Sequence, residues 1–504
     1  MSSLHLLLPL ALLPLLAACS GSSGAANAAA GGSKQSALDR QLRSLIAARG
    51  LTGDPAAGRE LPGIDDPLAQ LGKRLFFTKA LGGQFDSSCA SCHHPNLGGG
   101  DDLVLPTGVD AEVPHLLGPG RRQAFGTPGF DGGPTVPRNS PTTFNLGLYD
   151  SSMFWDSRVE SLGKTPGMNG GDGLGIDTPD SFGFGQADPA AGDNLVMAQA
   201  RFPVTSRDEM KGYFFEFGSW NDVIRDHLAA RMGGYGVGAG ELTDSWLPYF
   251  RGAYDSLGSA EELITYENIS RAIAEYQRSQ VFVDNPWFDY VKGADFAISE
   301  AAKRGAVLFY SDPAAGGAGC YQCHTGDFFT DEQHYTLAMP QVGRGKGDGH
   351  LNGPEDYGRF YETGHPDHKF AFRTPNLLNV AVTGPWNHCG SYTTLEAVIY
   401  HHCQPVDAVA NYDFNQLPPE VQTTYTLQVT NDALNQLLIY RASGVKTIQD
   451  VPVTPQGLAD LVEFLHTLTD PCVLDPDCME PWVQRDHGFD QHLLLAHDQG
   501  GEEL

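Results

Sequence analysis

Hydrophobic residues recur with a helical period in two stretches that each lead into a pair of cysteines. In residues 66–94, Leu71 and the run Leu75-Phe76-Phe77 indicate an amphipathic helix. In residues 301–324, the corresponding run is Leu308-Phe309-Tyr310. The two stretches form a faint internal repeat, which predicts two similar small helical domains.

Two more helices follow from the pattern. The stretch from Leu263 to Gln280 has apolar residues at 264, 269, 273 and 276, which is a helical period. Near the C-terminus, Thr454 is a good N-cap and Pro455 suits the first helical position. The apolar face of this last helix contains Leu458, Leu461, Val462, Leu465 and Leu468.

Each cysteine pair belongs to a C-x-x-C-H run, and the two runs contain Cys89, Cys92 and His93, and Cys320, Cys323 and His324. Two thiols at this spacing can each form a thioether to a haem vinyl group, while the adjacent histidine ligates the iron. A redox dithiol or a zinc site is the alternative, but zinc bound by four cysteines would leave both histidines without a role. We therefore predict two covalently bound c-type haems.

Length and composition set the expected organisation. A chain of 504 residues exceeds one ordinary core, and 60 Gly and 33 Pro indicate long loops. We predict an all-α fold with two haem domains and long loops. The expected segments are a signal peptide at 1–19, a flexible linker at 20–37, an N-terminal domain at 38–294, a C-terminal domain at 295–470 and a peripheral acidic tail at 471–504.

Charge and the N-terminus indicate the environment. A net charge of −29 argues against nucleic acid or an anionic membrane surface as partner. The apolar run Leu6–Ala18 is too short to span a bilayer and is followed by Cys19, as in a bacterial lipoprotein cleavage box. We predict a periplasmic protein anchored to the outer membrane through a lipid on Cys19. Ordinary secretion is the alternative, because no Lys or Arg precedes the apolar run.

Four of the nine cysteines have neither a haem nor a lipid role: Cys389, Cys403, Cys472 and Cys478. An even number in an oxidising compartment suggests two disulfides. By proximity in sequence the pairs are 389–403 and 472–478, and the second pair is the firmer prediction because it closes a tight loop.

Residues 157–194 are rich in Gly, Pro and Asp and have little periodicity. This stretch is longer than a structural connection needs. It is either a surface excursion, which we favour, or a lid over the first haem.

Several stretches resemble the bacterial di-haem cytochrome c peroxidase family, which includes the MauG-type enzymes. The resemblance runs from about residue 66 to 470 and implies two cytochrome c-like domains that pack at an interface. It rests on Leu71-Gly-Lys-Arg-Leu-Phe-Phe77, Pro137-Arg-Asn-Ser-Pro-Thr142, Phe154-Trp-Asp156, Phe372-Arg-Thr-Pro-Asn-Leu-Leu-Asn379, Thr383-Gly-Pro-Trp-Asn-His388 and Leu395-Glu-Ala-Val398.

The resemblance implies that the haem at Cys89, Cys92 and His93 is the peroxidatic one. The family's acid–base glutamate lies in a Pro-Val-Glu-Met run, which the stretch ending in Glu209-Met210 resembles with a short insertion. Its partner glutamine lies ten residues earlier, where this chain has Gln199. Heterolysis of a peroxide bond needs such a group, because a proton must move from the inner to the outer oxygen.

Further roles are implied by the same resemblance. Trp155 matches the tryptophan that relays electrons between the haems. Asn139, Thr383 and Pro385 match positions that bind one interdomain calcium ion through oxygen atoms. The family's typical peroxidases also have a histidine shortly before the Arg-Asn-Ser-Pro run that caps the N-terminal haem. None is present here, and His115 is the nearest candidate, so we expect an open sixth site.

The sixth ligand of the C-terminal haem lies, in the family, seven residues after the leucine that opens the Leu-Glu-Ala-Val run. Counting from Leu395 gives His402, with His401 and Met339 as rival candidates. The family's ligand at this position is Met in the peroxidases and Tyr in MauG. A histidine here predicts a lower reduction potential than a His/Met site.

Three functions are compatible with these features. The first is reduction of hydrogen peroxide with electrons from a small periplasmic cytochrome c or copper protein, which enter at the C-terminal haem. The second is a MauG-like oxidation of residues of a partner protein. The third is a non-catalytic di-haem electron-transfer lipoprotein, which the presence of Gln199 and Glu209 disfavours. A protein substrate and a homodimer are left open.

Overall fold

The computed structural model describes residues 36–346, 354–445, 447–486 and 488–504. The predicted signal peptide, Cys19 and nearly all of the predicted linker lie outside the described residues. Within these ranges, no helix is both long and apolar enough to cross a membrane.

The described part of the chain is mostly helical, with two small antiparallel sheets. The helices are α1 (Ala37–Arg49), α2 (Pro67–Phe77), α3 (Leu195–Gln199), α4 (Asn221–Gly233), α5 (Leu247–Ala253), α6 (Ala260–Leu263), α7 (Tyr266–Arg278), α8 (Pro286–Val291), α9 (Glu300–Tyr310), α10 (Phe360–Thr363), α11 (Leu395–Cys403), α12 (Pro405–Ala410), α13 (Thr426–Ser443), α14 (Pro455–His466) and α15 (Pro476–Met479). The strands are β1 (Ser152–Met153), β2 (Val159–Ser161), β3 (Ile176–Asp177), β4 (His334–Thr336) and β5 (Ala371–Arg373).

The four helices predicted from periodicity are present as α2, α7, α9 and α14. At the start of α14, the Thr454 side chain accepts a hydrogen bond from the Gly457 N–H, and Pro455 occupies the first position. In α2, Leu71, Leu75 and Phe76 are buried as their spacing requires.

Each half of the chain contains a closely crossed helix pair, α2 with α7 and α9 with α14, and a glycine permits each approach. A Cβ on Gly72 of α2 would lie 1.9 Å from the Ala272 carbonyl oxygen. A Cβ on Gly305 of α9 would lie 1.8 Å from the Asp460 carbonyl oxygen. The internal repeat seen in the sequence is therefore also present in the packing. The helix that precedes each C-x-x-C-H run, α2 or α9, crosses a later helix closely at a glycine.

Two large hydrophobic cores are built around these pairs. The first contains α2, α4, α5 and α7, and the second contains α8, α9, α11 and α14. Leu42 and Ile46 of α1 and Trp287 of α8 pack in the second core. The chain therefore crosses to the second core before the predicted junction at residue 294, and its first helix joins that core as well.

The two sheets are an addition to the predicted all-α fold. Strands β1, β2 and β3 form an antiparallel sheet in which Met153 pairs with Val159 and Glu160 pairs with Asp177. This sheet packs with α3 in a small third core that includes Ile176. The segment 157–194 is thus partly folded, with exposed tips at positions such as Phe182. Strands β4 and β5 pair in the second half.

The C-terminal stretch, predicted to be a peripheral tail, is instead part of the first core. Val483, Leu493 and Leu494 are buried there, and Leu494 N–H donates to the Phe77 carbonyl oxygen at 3.0 Å. The prediction was wrong because it was based on the acidic composition of this stretch, whereas several of its apolar residues pack in the core that contains α2.

The cysteine predictions divide. Cys472 and Cys478 form the predicted disulfide. The predicted pair Cys389–Cys403 is wrong, because both thiols are unpaired and buried within the described structure, in different hydrophobic clusters. The Cys389 thiol instead donates to the Pro340 carbonyl oxygen at 3.1 Å.

Candidate active site

A large cavity of about 530 Å³ lies between the two cores. Both C-x-x-C-H runs contribute their cysteines and histidine to its wall. The other predicted site residues in the wall are Asn139, Trp155, Gln199, Glu209, Thr383, Pro385 and His402. Residues from distant parts of the sequence thus meet around one space, and most of its surface is apolar.

The two cysteine runs have the same local structure. Each begins with a short 3-10 turn, Cys89–Ser91 in the first and Cys320–Gln322 in the second. In each, the histidine N–H donates to the carbonyl oxygen of the first cysteine at 3.0 Å. This turn brings two cysteines and a histidine to one side of the backbone, which is the arrangement that thioether attachment and axial ligation require.

The histidines of both C-x-x-C-H runs have the tautomer and the protonation state that a neutral metal ligand needs. His93 Nδ1 lies 3.2 Å from the Gly99 carbonyl oxygen, and His324 Nδ1 lies 3.0 Å from that of Phe329. A donating Nδ1–H fixes the tautomer and leaves Nε2 for a metal. Burial lowers the pKa of each histidine to about 4, so both imidazoles are uncharged at neutral pH.

His402 lies where a second ligand to the same metal ion would be placed. Its Nδ1 contacts the Val398 carbonyl oxygen at 2.8 Å, which again leaves Nε2 available. The rings of His324 and His402 have centroids 6.4 Å apart. Two imidazoles with metal–nitrogen distances of about 2 Å fit one ion between rings at roughly this separation.

The two rival ligands differ in position. His401 is outside the cavity wall, and both of its nitrogens are engaged, Nδ1 by the Tyr392 hydroxyl at 2.7 Å and Nε2 by the Leu337 carbonyl oxygen at 2.8 Å. Met339 lines the cavity but belongs to the second hydrophobic core. The geometry favours His402.

Unpartnered polar atoms in the wall fit a haem, whose propionates are anionic. Among the described residues, His388 Nε2 and one terminal nitrogen of Arg373 are buried without a hydrogen-bond partner. Both residues line the cavity. Because buried donors are normally satisfied, a ligand with anionic oxygens at these positions would remove an energetic cost. With the apolar wall and the cysteine loops, this donor set is compatible with two haems.

Glu209 lies on an unusual piece of backbone. It belongs to a single π-helical turn, Arg207–Lys211, in which the Ser206 carbonyl oxygen accepts from both Met210 N and Lys211 N. Such turns occur frequently at functional sites. A Cβ on Gly108 would lie 2.8 Å from the Glu209 Cα, so a glycine is needed for this segment to approach.

Burial raises the pKa of Glu209, while the nearby charges of Arg158 and Lys346 lower it and so offset part of that effect. Gln199, the last residue of α3, lines the same cavity. The predicted pair is therefore brought together with the first haem loop in one cavity wall.

Trp155 is held by both halves of the chain. Its indole N–H donates to the Asn139 carbonyl oxygen at 3.1 Å, and its own carbonyl oxygen accepts from Arg373 N at 2.8 Å. The next residue, Asp156, is fully buried and accepts from Arg138 at 2.6 Å. Arg138 also makes a two-pronged pair with Asp356, at 2.6 and 2.7 Å. These bonds fix the tryptophan at the junction of the halves.

The residues predicted to bind calcium, Asn139, Thr383 and Pro385, all line the cavity. The Asn139 side-chain amide donates to the Leu103 carbonyl oxygen at 2.8 Å. No cluster of three or more His, Cys, Asp or Glu side chains suited to a metal occurs in the described ranges. A calcium ion here would depend on carbonyl, amide and hydroxyl oxygens, and it stays a prediction.

His115, the candidate cap of the first haem, is not in the cavity wall. Its Nδ1 accepts from Leu495 N at 3.0 Å, and its Nε2 lies 3.1 Å from Lys79 Nζ. Of the segment 157–194, which is described throughout, Arg158 lines the wall and residues 159–194 do not. This favours the surface excursion over the lid.

Two cationic residues of the cavity were missed from the sequence. Arg158 follows the Phe-Trp-Asp run by two positions, and Lys346 lies in a Gly-Arg-Gly-Lys run. Their nearness to Trp155 and Glu209 depends on packing between the halves. The sequence contains one indication of these two residues, which is that Arg158 lies beside the Phe154-Trp-Asp156 motif.

Two C-x-x-C-H loops around one cavity, each with a histidine prepared for iron, define a c-type di-haem protein. The sequence profile described as di-haem cytochrome c peroxidase matches residues 66–295. This part of the chain is similar to that family, and the chain is a peroxidase-like oxidoreductase.

Relatives carry two kinds of name. The chain is 27% identical over 354 residues to "Methylamine utilization protein MauG" of Methylorubrum extorquens, covering 70% of this chain and 72% of that protein. It is 25% identical over 336 residues to "Cytochrome c551 peroxidase" of Pseudomonas aeruginosa, and the match covers 67% of this chain and 71% of that protein. It is therefore similar to both kinds of enzyme.

Two solved structures share the fold. One is a MauG-like protein associated with microbial copper homeostasis, with a TM-score of 0.52, 22% identity and coverage of 84% of this chain and 97% of that one. The other is the diheme peroxidase BthA from Burkholderia thailandensis, with a TM-score of 0.50 and 19% identity. This match covers 89% of this chain and 92% of that one.

Proposed function

We propose that this protein reduces hydrogen peroxide to water at the first haem site, formed by Cys89, Cys92 and His93. The observation that carries the proposal is that Gln199 and Glu209 share a cavity wall with both cysteine loops. When bound, the haem supplies the iron redox chemistry. The chain contributes what an open metal site needs beside it, a half-buried carboxylate and an amide.

Glu209 is the proton carrier of the proposed reaction. Its carboxylate takes a proton from one oxygen of peroxide and returns it to the other, which then leaves as water. The raised pKa brings the group closer to neutral pH, where a general acid–base works best. Gln199 has an amide that can hydrogen-bond peroxide and orient it toward Glu209.

We further propose that each core with its haem forms a cytochrome c-like domain, with Trp155 relaying electrons between them. Electrons enter at the second haem site, formed by Cys320, Cys323 and His324, with His402 as sixth ligand. The donor is a small periplasmic cytochrome c or copper protein. Export, a lipid anchor on Cys19 in the outer membrane and one calcium ion complete the proposal.

A MauG-like oxidation of residues of a partner protein is the second candidate. The observation that favours it is the 6.4 Å separation of the His324 and His402 rings. Two imidazole ligands lower the potential of the second haem relative to a His/Met pair, which makes electron uptake from a high-potential cytochrome less favourable. A non-catalytic electron carrier has no use for Glu209 and Gln199.

Steady-state peroxide consumption, with and without a pre-reduced small cytochrome c, tests the proposal. We expect turnover that depends on the reduced cytochrome. Peroxide consumption that stays at the level of free haem, with both haems present, would reject it. Turnover without any cytochrome, accompanied by covalent change in an added protein, would instead support the second candidate.

A further inference from the structure

Lys346 comes from the C-terminal half of the chain and lies in the cavity wall that also contains Glu209. Its Nζ is 3.4 Å from Asp156 Oδ2, and the Asp156 carboxylate is fully buried. Arg158 lies 3.2 Å from Oδ1 of the same carboxylate. Together with Arg138, which donates to it at 2.6 Å, one aspartate therefore holds three cations at the cavity.

Several charged side chains surround this aspartate. Asp156 and Asp356 are the two buried carboxylates, and they face three cations, Arg138, Arg158 and Lys346. Glu362 of α10 also faces the cluster, and burial, together with the charge of Asp156, raises its pKa. Among the described residues that line the cavity itself, four are cationic, Arg138, Arg158, Lys346 and Arg373, and one, Glu209, is a carboxylate. The cavity wall near Glu209 therefore has an excess of positive charge.

This excess acts on Glu209. The positive charges of Arg158 and Lys346 lower the pKa of Glu209 against the effect of burial. Burial lowers the pKa of Lys346 to about 8, with repulsion from Arg158 in the same direction and attraction to Asp156 opposing it. Lys346 is therefore still a cation at neutral pH and loses its charge in mildly alkaline solution.

We propose that Lys346 is a positioning residue of the active site, which together with Arg158 holds Glu209 as a carboxylate and gives the cavity affinity for small anions. The part concerning Glu209 rests on the proposed function. The anion affinity does not depend on turnover, so the two parts fail separately.

Azide binding to the oxidised holoprotein, followed by the haem absorption spectrum, tests the anion affinity. At pH 7 we expect Lys346→Met to weaken azide binding about tenfold, as for loss of one charge near a partly buried site. Lys346→Arg should keep the affinity within about threefold, because arginine retains the charge. Lys292→Met, a change at an exposed lysine on another surface, is the matched control.

The pH dependence separates the charge of Lys346 from a structural role. Above pH 8 the azide affinity of the wild type should fall more steeply than that of Lys346→Arg, since arginine stays protonated. This comparison remains informative if Lys346→Met does not fold. Equal azide affinities of wild type and Lys346→Met at pH 7, or parallel alkaline profiles of wild type and Lys346→Arg, would overturn the proposal.

The effect on Glu209 is measured by the pH profile of peroxide turnover. Without the Lys346 charge, the acid limb of kcat/KM should move up by about one pH unit in Lys346→Met and stay in place in Lys346→Arg. An unmoved limb in an active Lys346→Met protein would overturn this part. Absence of turnover in the wild type would reject the proposed function and leave the azide result to decide the anion site.

Discussion

The imidazoles of His324 and His402 face one another across the cavity, with ring centroids 6.4 Å apart and ring planes inclined by 58°. Each ring uses Nδ1 on a backbone carbonyl of its own segment and keeps Nε2 for a metal. Two elements more than seventy residues apart in sequence thus form one site. In the proposed function, this ligand pair would set the potential of the second haem and so influence which electron donors can reduce it.

Replacing His402 tests that pair. Near-infrared magnetic circular dichroism of the oxidised wild type should show a bis-histidine haem, and His402→Met should replace it with a His/Met charge-transfer band and raise the potential. His401→Gln is the matched control, because His401 lies outside the cavity wall. A His/Met band in the wild type would point to Met339, and a bis-histidine signal that survives in His402→Ala would also contradict the assignment.

The first haem site should be open as isolated. His115 is engaged by Leu495 and Lys79 outside the cavity wall, and no histidine shortly precedes Asn139. We therefore expect a high-spin first haem in the oxidised protein and a reaction with peroxide without prior reduction. Electron paramagnetic resonance measures the spin state. An entirely low-spin resting spectrum would mean that a side chain of this protein ligates the iron of the first haem and closes its sixth site.

Peroxide turnover should have an acid limb set by Glu209. Burial raises the pKa of this carboxylate above its ordinary value, and only the deprotonated form can accept a proton from peroxide. As the pH falls through the raised pKa, the base is lost and kcat/KM declines. The decline should be centred above the value of about 4.3 for a free glutamate. A profile that stays flat down to pH 4, with unchanged haem spectra, would exclude this role.

Arg138 should be a main contact between the halves. It is shared by the buried carboxylates of Asp156 and Asp356, and Arg138→Met leaves both without their principal cation. We expect the free energy of unfolding to fall by about 3–5 kcal/mol. The control is Arg122→Met, since Arg122 and Glu112 form an exposed pair that contributes about 0–1 kcal/mol. Similar losses in both variants would contradict the structural role of Arg138.

Local signals made much of this fold predictable. The C-x-x-C-H spacing fixes its own turn, and Thr454 and Pro455 mark the start of α14 because capping depends on neighbouring residues only. Periodicity was sufficient for α2, α7 and α9. The resemblance to a known family then identified Glu209, Gln199 and His402 as candidate site residues. No local sequence pattern distinguishes these three residues from polar surface residues.

What the sequence left out depends on contacts between distant segments. Cys389 and Cys403 are close in sequence but lie in different clusters, so counting along the chain paired them wrongly. Leu493 and Leu494 lie in an acidic stretch and are buried only because the C-terminus returns to α2. Lys346 reaches the cavity wall through the packing of the two halves, which no spacing rule encodes.

In the proposed function, Glu209 carries the proton of peroxide cleavage in a di-haem cavity. The most direct measurement is steady-state peroxide consumption by Glu209→Gln beside Asp208→Asn, with both haem spectra recorded. Asp208 is the matched neighbour, a carboxylate that accepts from the Tyr213 hydroxyl at 2.7 Å. We predict a loss of about a hundredfold or more in kcat/KM for Glu209→Gln and near wild-type activity for Asp208→Asn. Wild-type turnover by Glu209→Gln with intact haem spectra would contradict this role of Glu209.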